Sequence, residues 1–389
     1  MRPIRVFIVD DSALVRRMLA VMLAGDPGIE VLGSAPDPLI AAPRIASLQP
    51  DVLTLDVEMP GMDGLSFLER IMRTQPIPVL MVSALTRDRA DIALKALELG
   101  AYDYVTKPGS DLSGTFSDSA DEIIAKVKAA AASRPRIRGE VLPASARRPS
   151  ALNGMPPPVP PRLDADAVLP RLPPLQHLRQ LPSAGPVIAI GASAGGTEAI
   201  REVLVRMPAD APPILITQHI PAVFSAAFAA RMDRDSPMCV CEAADGQAVL
   251  RGHAYIAPGG RHLLLARDGA RFVCKLHDGP AVSRHKPSVD VLFRSVALAA
   301  GAQAVAAILT GMGDDGARGL LELREAGAPT LAQDEASSVV WGMPGAAWKL
   351  GAAAELVSLP MIAARLLQWS GYRPGCDMQM PIAERAAPI

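Results

Sequence analysis

Short aliphatic runs alternate with segments of helical period through the first third of the chain. Ile4–Val9, Val31–Ala35, Val52–Leu55, Pro78–Val82 and Tyr102–Thr106 read as strands, while Ala13–Ala24, Leu65–Arg73 and Arg89–Leu99 repeat apolar residues at helical spacing. Asp88 is placed to cap the last of these, and Gly100 sits where a helix end wants left-handed backbone. A helix over Leu39–Leu48 carries Pro43, which removes a donor and predicts a kink. A final helix, Asp121–Ala132, closes the unit. Such alternation predicts a parallel sheet covered by helices on both faces.

At Ser133 the pattern stops, and Pro, Arg, Ala and Ser crowd the chain, with Pro156–Pro158 and Pro160–Pro161 in the middle. That composition predicts a semi-extended spacer rather than a core. Strands and helices alternate again from Val187 to Leu367. The expected organisation is a first domain over 1–132, a Pro-rich linker over 133–185, a second α/β domain over 186–370 and a tail over 371–389.

Composition narrows the function classes. With 39 Lys+Arg against 40 Asp+Glu in 389 residues, the net charge is −1, so no global positive field is available to hold nucleic acid. The four cysteines, Cys239, Cys241, Cys274 and Cys376, are too few and too clustered for a secreted disulfide framework, and Cys239/Cys241 has no second ligand pair to complete a zinc site. The N-terminus does not fit a signal peptide, and the apolar stretch Val296–Leu309 falls short of the ~18 residues a membrane helix needs. The expectation is a cytoplasmic protein that binds no nucleic acid and is not integral to a membrane.

Chemistry collects at predicted strand ends. Asp10 and Asp11 end the first run, Asp56 the third and Ser83 the fourth, and Lys107 follows the fifth. In an open parallel sheet these ends converge on one edge. Three carboxylates there would repel one another unless a cation joined them, and an oxygen-rich site suits Mg²⁺. Ser83 offers a hydroxyl and Lys107 a positive charge to a phosphoryl group, which makes Asp56 a candidate phosphate acceptor. The pattern, with Met59–Pro60, Met62–Asp63–Gly64, Ser83–Ala84 and Lys107–Pro108, resembles the receiver domains of two-component response regulators. The resemblance implies a flavodoxin-like fold, a histidine kinase as phosphodonor for Asp56, and Mg²⁺ held by Asp10, Asp11, Asp56 and the backbone of Glu58. It also puts Tyr104 at the aromatic switch position.

In the second domain the buried strand reading of Pro186–Ile190 runs into Gly191–Ala192–Ser193–Ala194–Gly195–Gly196 and then a helical pattern, Thr197–Leu204. A strand, a sharp glycine turn and a helix present Ser193 at the sheet edge, with helix N-terminal amides nearby for an oxyanion. A dinucleotide loop would need a carboxylate ~20 residues on, where Pro213–Ile216 has none. His219 follows the strand-like run Ile214–Gln218, a placement that His177, His253, His262, His277 and His285 lack. The run Ala304–Leu309 leads into a glycine turn carrying Asp314 and Asp315, between which spacing does not choose. Nucleophile, base and carboxylate would then come in an order different from that of α/β-hydrolases.

Together with Gln218–Pro221, Ala254–Gly259, Pro287–Asp290, Leu309–Gly316 and Ala332–Ala336, these segments resemble the chemotaxis protein-glutamate methylesterases (CheB family) across nearly the whole chain. Aligned on the Gly-Met-Gly-x-Asp-Gly turn, the resemblance selects Asp315, with Ser193 as nucleophile and His219 as base. It implies a doubly wound, mostly parallel C-terminal domain without a cofactor, and amides near Ala194–Gly196 and at Met312 around the oxyanion. The implied reaction hydrolyses glutamate γ-methyl esters of methyl-accepting chemoreceptors to glutamate and methanol and deamidates receptor glutamines, under phosphorylation control. Ala194, where the family commonly has threonine, Pro43 and the long linker are departures from its pattern.

Overall fold

The computed structural model describes residues 2–57, 59, 63–83, 90–107, 116–132, 162–171 and 185–373. The first unit is a five-stranded parallel sheet in the order β2-β1-β3-β4-β5, from β1 (Ile4–Val9), β2 (Ile29–Ala35), β3 (Val52–Asp56), β4 (Val79–Ser83) and β5 (Asp103–Thr106). Its helices are α1 (Ala13–Ala24), α2 (Pro38–Leu48), α3 (Gly64–Thr74), α4 (Ala90–Glu98) and α5 (Phe116–Ala132). β1, β3 and β4 lie between other strands, which is why they read as unbroken apolar runs. Gly100 has φ 99°, the left-handed end expected there. Asp88 lies outside the described residues.

Local differences from the sequence expectations have physical reasons. β2 begins at Ile29, pairing Ile4 with Ile29 and Arg5 with Glu30; exposed Glu30 on this edge strand had broken the apolar run. α2 continues as one helix through Pro43. Asp37 caps its start by accepting from the Ile40 N–H at 2.9 Å, and buried Ala41 and Ile45 hold its inner face, so the loss of one donor does not end it.

The second unit holds a seven-stranded sheet, β14-β13-β12-β6-β7-β9-β8, in which every paired neighbour is parallel. Its strands are β6 (Val187–Ala192), β7 (Ile214–Gln218), β8 (Cys239–Glu242), β9 (His253–Ile256), β12 (Ala304–Ile308), β13 (Thr330–Gln333) and β14 (Glu355–Val357). A separate antiparallel hairpin joins β10 (His262–Asp268) to β11 (Arg271–His277). The helices are α6 (Gly196–Val205), α7 (Ala222–Asp235), α8 (Val289–Ala299), α9 (Ala317–Glu325), α10 (Met343–Lys349) and α11 (Leu359–Trp369). β6 is flanked by β7 on one side and β12 on the other, so the strand order reverses there and opens a crevice at the carboxyl edge.

Residues 162–171, inside the Pro-rich stretch, dock on this second unit as a strap. Ala165, in a 3-10 turn, packs with Leu264, Val282 and Val291, and Asp166 and Glu322 both pair with Arg294. Arg162 pairs with Asp314. The two units also touch: the Tyr104 and Phe224 rings lie 4.6 Å apart, and Arg231 of α7 is 2.9 Å from Glu98 of α4. Val340 packs against the cluster that includes Ile123 and Val127 of α5.

Candidate functional site

The carboxyl edge of the first sheet gathers the expected acidic group. One carboxylate oxygen from each of Asp10, Asp11 and Asp56 lies within 4.8 Å of the others, with Asp10 and Asp56 buried and Asp11 exposed. Lys107 Nζ donates to Asp56 Oδ2 at 2.6 Å and lies 3.3 Å from Asp10 Oδ2. That second approach is an ion pair without hydrogen-bond alignment, so the buried Asp10 Oδ2 keeps an unfilled acceptor position. Burial raises the Asp10 carboxyl above its ordinary value, against the opposing charge of Lys107. Burial would lower Lys107, but its bond to Asp56 and the charges of Asp56 and Asp10 together raise it. Three clustered carboxylates, one with an open buried oxygen, fit a hard divalent cation. Ser83 ends β4, although its side chain, like all of Glu58, lies outside the described residues.

At the edge of the second sheet, Ser193 follows β6, His219 follows β7 and Asp315 lies in the turn between β12 and α9. Gly195, at φ 73°, makes the turn that swings the chain from Ser193 into α6. The turn is pinned from three sides. The Ser193 N–H donates to the Thr310 carbonyl at 3.0 Å, Gln218 Nε2 donates to the Ser193 carbonyl at 2.8 Å, and Thr310 Oγ1 donates to the Ala194 carbonyl at 2.9 Å. Gly196 N–H is spent on the Ser193 carbonyl at 2.7 Å, which removes it from the expected set of oxyanion donors. His219 N–H donates to the Ala192 carbonyl at 3.1 Å, which fixes the histidine beside the serine turn.

The side chains then sort the two aspartates that spacing left equal. Asp315 is buried and its Oδ2 lies 2.8 Å from His219 Nε2, whereas Asp314 is half-exposed and faces Arg162 of the strap. Asp315 is also gripped by the N-terminus of α8. Ser288 Oγ donates to it at 2.8 Å, Val289 N–H at 2.7 Å and Asp290 N–H at 3.2 Å. Burial alone would raise the Asp315 carboxyl, but His219, His285 and the α8 amides together hold it well below the carboxylate range. Gly316, at φ 89°, allows this approach, because a Cβ there would come within 2.4 Å of Val289. Behind Asp315 lies a second buried carboxyl, Asp290, pushed up to about 8 by burial and by the charge of Asp315.

With Nε2 on Asp315, the other ring nitrogen of His219, Nδ1, is buried and has no hydrogen-bond partner among the described residues. The nitrogen available to take a proton is therefore the opposite of the one used in the chymotrypsin arrangement. The sequence missed His285, whose ring stacks on His219 with centroids 3.7 Å apart and 14° between planes. It sits in a turn rather than at a strand end. Ser288 was findable as a cap residue ahead of an apolar helix, but its bond to Asp315 spans 27 residues.

Fold and site define a response-regulator type of protein, with an acidic receiver edge in one parallel α/β unit and a serine–histidine–aspartate edge in another. Residues 6–113 match the response regulator receiver domain family, and residues 188–366 match the CheB methylesterase family. A protein-glutamate methylesterase/protein-glutamine glutaminase of Xanthomonas campestris pv. campestris is 57% identical over 368 residues, covering 95% of this chain and 98% of the relative. One of the same description from Hydrogenovibrio crunogenus is 51% identical over 377 residues, covering 94% and 99%. The crystal structure of the Thermotoga maritima CheB methylesterase catalytic domain aligns at 32% identity and TM-score 0.47, covering 47% of this chain and 98% of that one. The chain belongs to the protein-glutamate methylesterase/protein-glutamine glutaminase family, with an N-terminal receiver domain. Among the described residues no helix is long and apolar enough to cross a membrane.

Proposed function

We propose that this chain is a phosphorylation-activated serine esterase that hydrolyses glutamate γ-methyl esters of chemoreceptors to glutamate and methanol, and deamidates receptor glutamines. The observation that carries the reading is the buried 2.8 Å contact between His219 and Asp315 beside the Ser193 turn, at the edges of three adjacent strands. Ser193 Oγ attacks the ester carbonyl as His219 Nδ1 takes its proton, and Asp315 steadies the imidazolium that forms. Amides of Ala194, Gly195 and Met312 supply the oxyanion contacts. Collapse expels methoxide, which takes the proton from His219 and leaves as methanol; with a glutamine substrate the leaving group is ammonia. His219 then removes a proton from water, which cleaves the acyl-enzyme and restores the Ser193 hydroxyl.

In the receiver, Asp56 accepts a phosphoryl group from a chemotaxis histidine kinase, with Ser83 and Lys107 as its contacts. Asp10, Asp11, Asp56 and the backbone of Glu58 would hold Mg²⁺, whose charge offsets that of the phosphoryl oxygens. The domain boundaries are those of the sequence reading, at 132/133, 185/186 and 370/371, and the cell compartment is the cytoplasm. The contacts of Tyr104 with Phe224 and of Glu98 with Arg231 support a gate in which the resting receiver rests against the esterase edge. To turn a mostly closed population into a mostly open one, phosphorylation must favour the open arrangement by about 5 kcal/mol.

The test is methanol release from methylated receptor membranes, by wild-type and Ser193→Ala protein, in Mg²⁺ with and without acetyl phosphate. Release that requires Ser193 and rises with acetyl phosphate is the expected result. Release that ignores acetyl phosphate removes the gate, and release by Ser193→Ala removes the nucleophile.

A further inference from the structure

The ring stacked on His219 is delivered by an unusual piece of backbone. Val282 and His285 close a tight turn through paired bonds, Val282 N–H to the His285 carbonyl at 3.0 Å and His285 N–H to the Val282 carbonyl at 2.8 Å. The two central residues, Ser283 at φ 52° and Arg284 at φ 69°, are both left-handed, in a turn that ordinarily uses Asn-Gly. Side chains with a Cβ resist that conformation, so the turn persists because its surroundings hold it. Ser283 N–H donates to the Leu163 carbonyl of the strap at 2.8 Å, Ser283 Oγ reaches Asp290 Oδ2 at 3.4 Å, and the Lys286 carbonyl accepts from Gly260 N–H at 3.0 Å. The product of this holding is one imidazole lying flat under another.

We propose that His285 is a positioning residue for His219, a flat plate that fixes the plane of the base ring while Asp315 holds its Nε2. The hydrogen bond from Nε2 to Asp315 fixes one end of the ring but leaves rotation about that line free, and Nδ1 moves with any such rotation. A parallel ring at 3.7 Å removes that freedom and keeps water off one face. The groups facing His285 are His219, Asp315 of the glycine turn, Lys126 of α5 and Arg162 of the strap. Protein crowding around the ring, then the neighbouring His219 and the two cations, push its pKa down to about 3 against the pull of Asp315, although part of the residue reaches the surface. His285 therefore stays neutral through the working pH range and offers a π face, not a second charge, to the imidazolium above it.

The inference rests on the reading of His219 as the base, and the test separates the two. Full-length protein with Mg²⁺ and acetyl phosphate is assayed for methanol release from methylated receptor membranes, as wild type, His285→Phe, His285→Leu and His219→Ala. Phe keeps a flat face; Leu fills similar space without one. The expected result is a kcat lowered by about 10²-fold in His285→Leu, with KM nearly unchanged and most of the rate retained in His285→Phe. The acid limb of the kcat/KM profile moves in the Leu variant, whose branched methyls no longer hold the His219 ring in one plane, and stays in place in the Phe variant. Unfolding midpoints are measured first, and if the Leu variant is not folded, His285→Asn, too short to underlie the ring, replaces it with the same expectation. Equal rates and pH profiles for the flat and non-flat variants, or a loss confined to KM, overturn the proposal. A fully active His219→Ala overturns the reading beneath it; an inactive His219→Ala beside unaffected His285 variants overturns the stack alone.

Discussion

Glu98 offers a clean way to loosen the receiver without touching either site. It lies on α4, its side chain is 47% exposed, and its carboxylate is 2.9 Å from Arg231 across the domain contact. Truncating it leaves no buried charge alone, because Arg231 also pairs with Glu198 at 2.6 Å and with Asp235 at 4.0 Å. The loss is therefore that of a partly exposed ion pair, about 0.2–1 kcal/mol. In the unphosphorylated protein this shifts the closed-to-open ratio by a factor of roughly 1.4 to 5. Glu98→Ala should raise the resting rate of methanol release by that factor and leave the phosphorylated rate unchanged, since that population is already open. Glu98→Lys, which sets like charges against each other, should raise the resting rate further. Initial rates from methylated receptor membranes, with and without acetyl phosphate, measure both. A folded Lys variant with the wild-type resting rate, or one whose resting and phosphorylated rates rise together, would refute the gate.

Two further substitutions probe the carboxylates behind His219. Asp315→Asn replaces an oxygen that accepts from His219 or from the α8 amides by a donor, and should lower kcat by up to ~10⁴-fold while Asp56 phosphorylation by acetyl phosphate proceeds normally. Asp290→Asn tests pH-dependent stability. Because the folded pKa of Asp290 is raised to about 8, its contribution is full below the ordinary carboxylate value of 3.8 and is lost as pH rises towards 8, with a slope of at most ~1.4 kcal/mol per pH unit. Asp315, whose pKa is lowered, stays ionised in that window and adds no slope there. The Asn variant should thus lose less stability than wild type between pH 5 and 8 in denaturant melts; parallel curves would show that Asp290 is ionised throughout.

Much of this architecture is written in local pattern. β1, α1 and β7 fall on the residues that the hydrophobic pattern assigns, because β1 and β7 are mostly apolar runs buried along their length and α1 repeats its buried residues at helical spacing. Ser193 and His219 were readable because an apolar run ending in a polar residue marks a strand's carboxyl end, and parallel strands bring those ends together. The choice of Asp315 over Asp314 was not local: one turn offers both, and only the N-terminus of α8 on one side and Arg162 on the other decide which points inward. The strap escaped for a similar reason, since Ala165, Val168 and Leu169 carry too little apolar signal among the prolines to announce a docking site. His285 was hidden deepest, because no sequence pattern advertises a left-handed pair at Ser283 and Arg284.

The placement of β6 between β7 and β12 also bears on how the chain acquires its chemistry. The bond between His219 and Asp315 closes across 96 residues of sequence, and that between Thr310 and Ala194 across 116. Such non-local pairings form late and slowly, after the entropy of closing long loops has been met. A ribosome-bound chain whose β12 has yet to emerge holds the Ser193 turn and His219 without Asp315, the carboxylate that holds the His219 ring. If the proposed triad carries the reaction, hydrolysis should appear only once the sheet is complete, and the esterase rate should then report refolding.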